Sequence, residues 1–334
     1  MIMVRWDVWG SRLLAIGLAA ATACSSSPTA AGPAQSPGGT ESAVTPSHYM
    51  VSNTDSAEQD DRGYRIGCAD GKAGVSGPRA LFFGTQESGG KIRPPGTTAS
   101  SPAARVSEQW VERAAADWVR GFTECGQATA IVALGVNNKS DGGADPAQAG
   151  AAWARLVERV AGAVPAGRVT VAGALDGEPS WSKPAWARGW VDAFVAGSRR
   201  GLYAVNSADG CPSEGTGETC GNGWTVGDVY HVSTGAAGTV VALPQIYRTD
   251  GIQARQWATI SRWGVRTGAG PLRVAGALSQ ATACRQKPGC GRTGNSPADS
   301  RDQLDKALAA DPATRPAEPL VASDIGWASA PPSP

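Results

Sequence analysis

The sequence predicts an α/β fold, a (β/α)8 barrel of the TIM type, over residues 63–330. Short apolar runs recur eight times along this region, and each run ends in polar or acidic residues. Between most of these runs lies a segment with apolar residues three and four positions apart, which is the spacing of an amphipathic helix. Alternating strands and helices imply parallel strands with crossover helices, and eight such units over this length fit a TIM-type barrel.

Each strand prediction rests on an apolar run of strand length. The predicted strands cover residues 79–87, 128–138, 168–178, 201–207, 226–233, 238–247, 271–280 and 319–327. No helical pattern separates the fourth strand from the fifth, or the fifth from the sixth, so some crossover helices are expected to be short or missing. A doubly wound open sheet is the alternative, but the glycine-rich phosphate loop typical of that fold is not found.

Residues 1–24 have the pattern of an export signal. A stretch with Arg5 and Arg12 is followed by the apolar segment LLAIGLAA and by small residues before Cys24. The apolar segment is too short for a permanent membrane span. The pattern resembles a bacterial lipoprotein signal, which implies an exported protein anchored to the outer face of the cell membrane by lipid on Cys24. An ordinary secretory peptide is the alternative.

Residues 25–62 are rich in Ser, Pro, Gly, Thr and Ala and nearly free of aromatic residues. Such a segment buries too little apolar surface to become ordered, so we expect a disordered tether here. No second linker interrupts residues 63–330, which are therefore expected to form one domain. The formal net charge of +1, with both signs mixed, gives no reason to expect a nucleic-acid partner.

The cysteines predict disulfides rather than a metal site. Without Cys24, six cysteines are left in a chain that is expected to leave the reducing cytoplasm. Many pairings are possible, but the pairs Cys211–Cys220 and Cys284–Cys290 are close enough to close small loops, which leaves Cys68–Cys125. No paired-cysteine motif or histidine cluster suggests zinc. We expect no metal or cofactor, although calcium bound by Asp141 and Asp145 stays open.

One strand end carries two acids that a near copy of the strand lacks. The stretch VTVAGALDGEPSW (169–181) resembles LRVAGALSQATAC (272–284), which has Ser279 and Ala281 in place of Asp176 and Glu178. The two copies are the third and seventh predicted strands, a spacing that a half-barrel duplication would give. Active sites of such barrels lie at the carboxyl ends of the strands, so this difference marks a candidate site.

The spacing of Asp176 and Glu178 suits acid–base chemistry. Residues two apart on an extended strand face the same side, and two close carboxyls raise the pKa of one of them enough to hold a proton near neutral pH. Such a pair can serve as general acid and as its ionised partner. The alternative is a solvent-exposed acidic turn, in which Asp, Gly and Pro are common for conformational reasons.

The other strand ends add candidates. Glu87 and Asp324 are further candidate catalytic carboxyls, with a structural hydrogen bond as the alternative for each. Side chains able to bond to hydroxyl or amide groups, or to stack on sugar rings, are the predicted substrate-binding residues: Gln86, Asn137, Asn206, His231, Gln245, Tyr247, Gln280, Trp181 and Trp327. A structural role is the alternative for the histidine, and anchoring of loops is the alternative for the tryptophans.

A strand that ends in ALDGE within an eight-unit barrel resembles the Asp-x-Glu strand of chitinase-like and muramidase-like glycoside hydrolases. The resemblance implies that Glu178 is the general acid and that Asp176 assists a substrate N-acetyl group. We therefore expect a surface-anchored glycoside hydrolase-like protein whose partner is a polysaccharide or cell-wall glycan. The alternative is a lipoprotein on a barrel scaffold that binds a glycan or supports the envelope without catalysis.

Overall fold

A computed structural model describes residues 43–51, 56–287 and 289–328, with only the backbone described at 56–60. The described residues contain ten strands: β1 (Val44–Tyr49), β2 (Gly77–Glu87), β3 (Lys91–Arg93), β4 (Val106–Ser107), β5 (Ala130–Asn137), β6 (Val169–Asp176), β7 (Leu202–Ala204), β8 (Val240–Ala242), β9 (Gly276–Ser279) and β10 (Val321–Trp327). Eight of them are parallel and build the barrel. The short strands β3 and β4 form an antiparallel extension of β2.

The helices alternate with the barrel strands. They are α1 (Ser56–Ala73), α2 (Glu108–Cys125), α3 (Pro146–Ala163), α4 (Pro184–Gly197), α5 (Val226–Tyr230), α6 (Ile252–Arg266), α7 (Ala281–Gln286) and α8 (Pro297–Ala309). A π-helical turn, His231–Gly235, continues α5. Every crossover between successive barrel strands therefore contains a helix, and the one between β7 and β8 is the short α5.

The parallel strands follow one another around the barrel in the order β8, β7, β6, β5, β2, β1, β10 and β9. Two isolated parallel bridges, Ala242 to Val274 and Gln245 to Leu278, join the two ends of this order. The sheet is thus a nearly closed barrel, and the predicted TIM-type fold class is confirmed. All carboxyl strand ends meet at one mouth, as this fold requires.

Two details of the strand prediction are wrong. Strand β1 lies inside the predicted 25–62 tether, so the barrel begins at Val44 rather than at residue 63. Its inward side chains include Thr45 and Ser47, which are buried against β10 through hydrogen bonds and therefore gave no apolar pattern. The predicted strand 226–233 is helical, because Thr225 and Asp228 form a capping box that starts α5.

The corrected strand count changes the meaning of the repeated stretch. The strands that contain the two copies, β6 and β9, are the fourth and seventh of the barrel, three positions apart. The spacing expected for a half-barrel duplication is therefore wrong.

The three predicted disulfides are confirmed: Cys68–Cys125, Cys211–Cys220 and Cys284–Cys290. The first ties α1 to α2, and the other two close short loops after β7 and β9. Three disulfides indicate an oxidising, extracytoplasmic environment. No helix among the described residues has the length and apolar character needed to cross a membrane. Cys24 and the predicted signal lie outside the described residues.

The core has two layers. Between barrel and helices lie four fully buried tryptophans, Trp118, Trp153, Trp190 and Trp257. The barrel interior is filled mainly by small and branched side chains such as Ala80, Ala133, Ala172, Ala174 and Val205. The interior is thus packed, and open space is left at the carboxyl mouth.

Helices α1 and α2 pack unusually closely. A methyl group added at Gly63, Gly67 or Gly71 of α1 would lie 2.5, 2.0 or 2.5 Å from a backbone oxygen of α2. These glycines are four residues apart and so lie on one face of α1. The absence of side chains on that face allows the backbones to approach each other, and the Cys68–Cys125 bond lies in the same interface.

Candidate active site

A cavity of about 300 Å³ opens at the carboxyl ends of the strands. Its walls come from loops on several sides of the barrel. The lining residues are Tyr49, Phe82, Gly84, Pro95, Gly96, Asn137, Lys139, Asp176, Trp181, Gln280, Ala283, Lys287, Cys290 and Trp327. Four predicted substrate-binding residues and one predicted catalytic acid are among them, so the structure brings these five together.

Asp176, the last residue of β6, is buried in this wall. One oxygen of its carboxyl accepts a hydrogen bond of 2.7 Å from the side-chain amide of Gln245. Burial raises the pKa of Asp176 to about 7, while the Gln245 amide and the positive charge of Lys139 oppose that rise. Asp176 is therefore a carboxyl that exchanges its proton near neutral pH.

The carboxyl of Glu178 lies in the same electrostatic environment. Burial raises its pKa well above the usual value, and the negative charges of Asp176 and Asp209 raise it further. Lys139 and the Gln245 amide act in the opposite direction. The raised pKa favours the protonated form of Glu178, which is the state a general acid needs before it reacts.

The turn that carries the two acids is fixed by asparagines from the neighbouring strand ends. The side chain of Asn138 accepts a hydrogen bond from the Glu178 N–H at 3.0 Å and donates one to the Glu178 carbonyl oxygen at 2.9 Å. The Asn206 side chain accepts from the Gly177 N–H at 2.7 Å. Asn206 was predicted to bind substrate, but its side chain is used to hold this turn.

Gly177 is required by that arrangement. A Cβ at this position would lie 2.5 Å from Oδ1 of Asn206, too close for both groups to keep their places. The glycine between the two acids thus lets the chain approach Asn206. The D-G-E turn is therefore tightly held, with Asp176 and Gly177 buried and Glu178 half-buried, and is not a freely solvated acidic turn.

Two tyrosines lie beside the acids. Tyr49 ends β1 and Tyr247 follows β8, and each phenol affects the pKa of the other. Burial raises the pKa of both phenols well above the usual value, and the negative charges of Asp176 and Glu178 add to the rise. Both phenols therefore stay protonated and can donate hydrogen bonds near the acid pair.

Two tryptophan rings in the cavity wall each contact the ammonium group of a lysine. The ammonium of Lys139 lies 4.6 Å from the ring centre of Trp181, and that of Lys287 lies 3.1 Å from the ring centre of Trp327. The Trp327 ring also contacts Tyr49, with 4.8 Å between ring centres. These ring surfaces are thus already covered by protein groups, in contrast to the free stacking surfaces expected from the sequence.

Three predicted site residues lie around the barrel rather than in the mouth. Gln86 donates to the carbonyl oxygen of Ala149 and accepts from the indole N–H of Trp190, which fixes α3 and α4 to the barrel wall. Glu87 forms an ion pair of 3.0 Å with Arg105. His231 starts the π-helical turn and bonds to Asp192 of α4, because the strand that would have carried it to the mouth does not exist.

Both carboxyl oxygens of Asp324 accept hydrogen bonds from neighbouring residues. One oxygen accepts from the Ser279 hydroxyl at 2.5 Å, and the other accepts from the Thr282 N–H and hydroxyl at 3.0 and 2.6 Å. These bonds hold the start of α7. Asp324 and Ser279 therefore form a structural contact between neighbouring strand ends, β10 and β9.

The two remaining predicted binding residues line the cavity but are held by neighbours. Asn137 accepts from the hydroxyl of Thr85 at 2.9 Å. The Gln280 amide donates to the carbonyl oxygen and hydroxyl of Thr293 at 3.0 and 2.9 Å. Both side chains keep some hydrogen-bonding capacity toward the cavity.

The loop after β5 contains Asp141 and Asp145, the two acids considered above as possible calcium ligands. Asp141 instead pairs with Arg93 of β3 at 2.5 Å, and Asp145 caps α3 by accepting from the Gln148 N–H. Arg93 is completely buried and lies 3.5 Å from Glu87 as well. Among the described residues, no group of three or more His, Cys, Asp or Glu side chains is arranged as a metal site.

Three residues of the site were missed by the sequence prediction. Tyr49 lies in the segment that was expected to be a tether. Lys139 and Lys287 stand in loops, where lysine is common and no pattern distinguishes a functional one. No apolar alternation in VTPSHYM indicates β1, because the buried positions of this strand hold the polar residues Thr45 and Ser47.

No known family model matches the chain, and no curated protein is significantly similar to it.

Proposed function

We propose that the protein is a glycoside hydrolase-like lipoprotein that acts on a polysaccharide or cell-wall glycan by carboxylate acid–base catalysis. The observation that carries this proposal is the pair Asp176 and Glu178 beside the mouth cavity, with both pKa values raised by burial. Acid–base cleavage of a glycosidic bond uses two carboxyls of unequal proton affinity, and the negative charge of Asp176, which raises the pKa of Glu178, supports such a division of roles.

The proposed roles follow from the environment of each group. Glu178 holds a proton at neutral pH and gives it to the glycosidic oxygen. Asp176, once ionised, stabilises the positive charge that develops on the sugar or orients its N-acetyl group. The Gln245 amide holds Asp176 in place, and the tyrosine hydroxyls supply donors for sugar oxygens.

The proposed location is the outer face of the cell membrane. The three disulfides fit an extracytoplasmic protein, and the resemblance of residues 1–24 to a lipoprotein signal supports lipid attachment at Cys24. Mass analysis of the protein from membranes tests this: a diacylglyceryl group on Cys24 is expected, and a Cys24→Ala variant is expected in the soluble fraction.

The catalytic proposal is tested by turnover assays with chitin oligomers, peptidoglycan, α-glucans and β-glucans. We expect Glu178→Gln to lower kcat by about 10²- to 10⁴-fold on the substrate that wild type cleaves, because the proton donor is lost. Asp176→Asn is expected to lower kcat as well. The matched control is Asp192→Asn on the outer face of α4, which should retain full activity. Equal turnover by wild type and both site variants would refute the proposed roles.

One observation favours a second function. Asp176 lines the cavity, whereas Glu178 is not among the lining residues. The second candidate is therefore a protein that binds a glycan in the cavity without cleaving it. Saturable binding of a glycan by wild type, with no turnover on any of the four substrate classes, would establish this candidate in place of hydrolysis.

A further inference from the structure

The mouth cavity contains two lysine–tryptophan pairs that the proposed chemistry does not use. Lys139 lies on Trp181 and Lys287 lies on Trp327, and all four residues line the cavity. A lysine above an indole ring is stabilised by about 0.5–2 kcal/mol. Cation–π contacts with the two indole rings therefore stabilise the two ammonium groups at the cavity wall.

The two pairs lie on opposite sides of the barrel. Lys139 follows β5 and Trp181 follows β6, the third and fourth barrel strands. Lys287 follows β9, and Trp327 ends β10, the seventh and eighth strands. Strands four positions apart in a ring of eight face each other across the barrel. The ammonium groups thus approach the cavity from two facing walls.

Both ammonium groups retain donors for a ligand. In residues 43–51, 56–287 and 289–328, neither lysine forms an ion pair with a carboxylate. An ammonium has three N–H donors, and the contact with a ring face leaves some of them free. The other charged residue that lines the cavity is Asp176, whose pKa of about 7 leaves it partly protonated at neutral pH. The wall of the cavity is therefore positive at pH 7.

We infer that Lys139 and Lys287 bind acidic substituents of the glycan, so that the ligand is a polysaccharide whose sugars carry carboxylate or phosphate groups. This inference rests on the proposed glycan ligand and specifies its chemical class. Two facing cations match an anionic chain that crosses the mouth with acidic groups near both walls. A neutral glycan would leave both charges without partners.

The test compares acidic oligosaccharides with their neutral counterparts. Binding is measured by calorimetry with the full-length protein carrying Glu178→Gln, which prevents turnover. The carboxylate probe is a hyaluronan hexasaccharide, and its neutral counterpart is the same oligosaccharide with reduced carboxyl groups. The phosphate probe is a chitohexaose phosphorylated on its 6-hydroxyls, and its counterpart is chitohexaose. Lys139→Gln, Lys287→Gln and the double variant are compared with Lys306→Gln, which changes an exposed lysine of α8.

We expect at least one acidic probe to bind more tightly than its neutral counterpart, and each site lysine to contribute about tenfold in Kd, equivalent to about 1.4 kcal/mol. The double variant should bind acidic and neutral probes equally, whereas Lys306→Gln should still bind the acidic probe more tightly. Where both site lysines are present, added salt should weaken binding of the acidic probe. The preferred acidic probe identifies the substituent as carboxylate or phosphate.

Binding and turnover measurements distinguish a failure of this inference from a failure of the catalytic proposal. Equal Kd values for acidic and neutral probes, or a preference that survives in the double variant, would overturn the inference even if wild type hydrolyses a neutral glycan. A lysine-dependent preference for acidic probes, without turnover of any glycan by wild type, would support the inference and remove the hydrolase.

Discussion

At the scale of single residues, the number of hydrogen-bond donors separates two carboxyls that look alike in the sequence. Asp324 accepts three hydrogen bonds, from Ser279 and Thr282. Asp176 accepts one, from Gln245, and lies near the acid Glu178. Donors stabilise the ionised form, whereas burial without them favours the protonated form. The three bonds give Asp324 a structural role, whereas burial raises the pKa of Asp176 to about 7, so Asp176 can exchange a proton during a reaction.

Asp176 should make the folded state less stable as the pH rises. Its pKa in the folded protein is about 7, above the ordinary value of 3.8, so the folded state holds this proton more tightly than the unfolded chain does. The resulting stabilisation is complete below pH 3.8 and is lost as the pH rises to about 7. Asp176→Asn does not titrate and should therefore be more stable than wild type at pH 8, by about 4 kcal/mol at most.

Denaturant unfolding at pH 3 to 8 measures this difference. The variant keeps an oxygen that can accept from Gln245, so wild type and variant should have similar stability at pH 3. A difference in stability that stays constant over the whole range would contradict the raised pKa.

At the scale of elements, the strands and helices that the sequence revealed are those with a strong apolar period. Strand β6 has such a period and was predicted close to its observed bounds. Strand β1 was hidden because its inward positions hold Thr45 and Ser47, whose hydroxyls are satisfied only by the distant strand β10. In α5, the Thr225–Asp228 capping box outweighed the β-branched residues that suggested a strand.

The contact between α1 and α2 yields a prediction for two glycine substitutions. In Gly67→Ala, the new methyl would lie 2.0 Å from the carbonyl oxygen of Trp118, so the helices must separate. We expect a loss of about 2–3 kcal/mol in the free energy of unfolding, larger than the gain in helix propensity. Gly162→Ala in α3 is the matched control, since a methyl there meets nothing within 4 Å.

The control should be stabilised by about 0.5–1 kcal/mol, because alanine loses less backbone entropy than glycine when a helix forms. Thermal or denaturant unfolding of the two variants measures both effects. If the two substitutions changed stability equally, close packing of α1 against α2 would not be the reason for Gly67.

At the scale of the whole molecule, the strand pairings of the barrel differ in length, and the joint between β8 and β9 is among the shortest. Strands β5 and β6 pair over eight residues, whereas β8 and β9 meet only through the isolated bridges at Ala242 and Gln245. Amide hydrogen exchange under native conditions should therefore show lower opening free energies for the amides of Ala275 and Ile246 at this joint than for amides inside β5 and β6. Equal protection at both places would show that the barrel opens as one unit.

The sequence predicts those site residues that follow one another along a single strand. It does not predict the contacts that join residues from distant segments. The acids of D-G-E follow one clear strand, so Asp176 and Glu178 could be selected from position alone. Their burial depends on Asn138, Asn206 and Gln245, which come from other strand ends. Such contacts become visible only when the order of the strands around the barrel is known.

Arg93 links two of the segments that surround the mouth of the barrel. Its buried guanidinium joins the β3 extension to Asp141, in the loop that begins near Lys139, so these two segments move as one body. Among the described residues, Lys287 forms no ion pair with these segments, and the Cys284–Cys290 bond closes its loop on itself. We therefore expect a bulky chain that widens the mouth to displace the Lys287 wall more than the Lys139 wall.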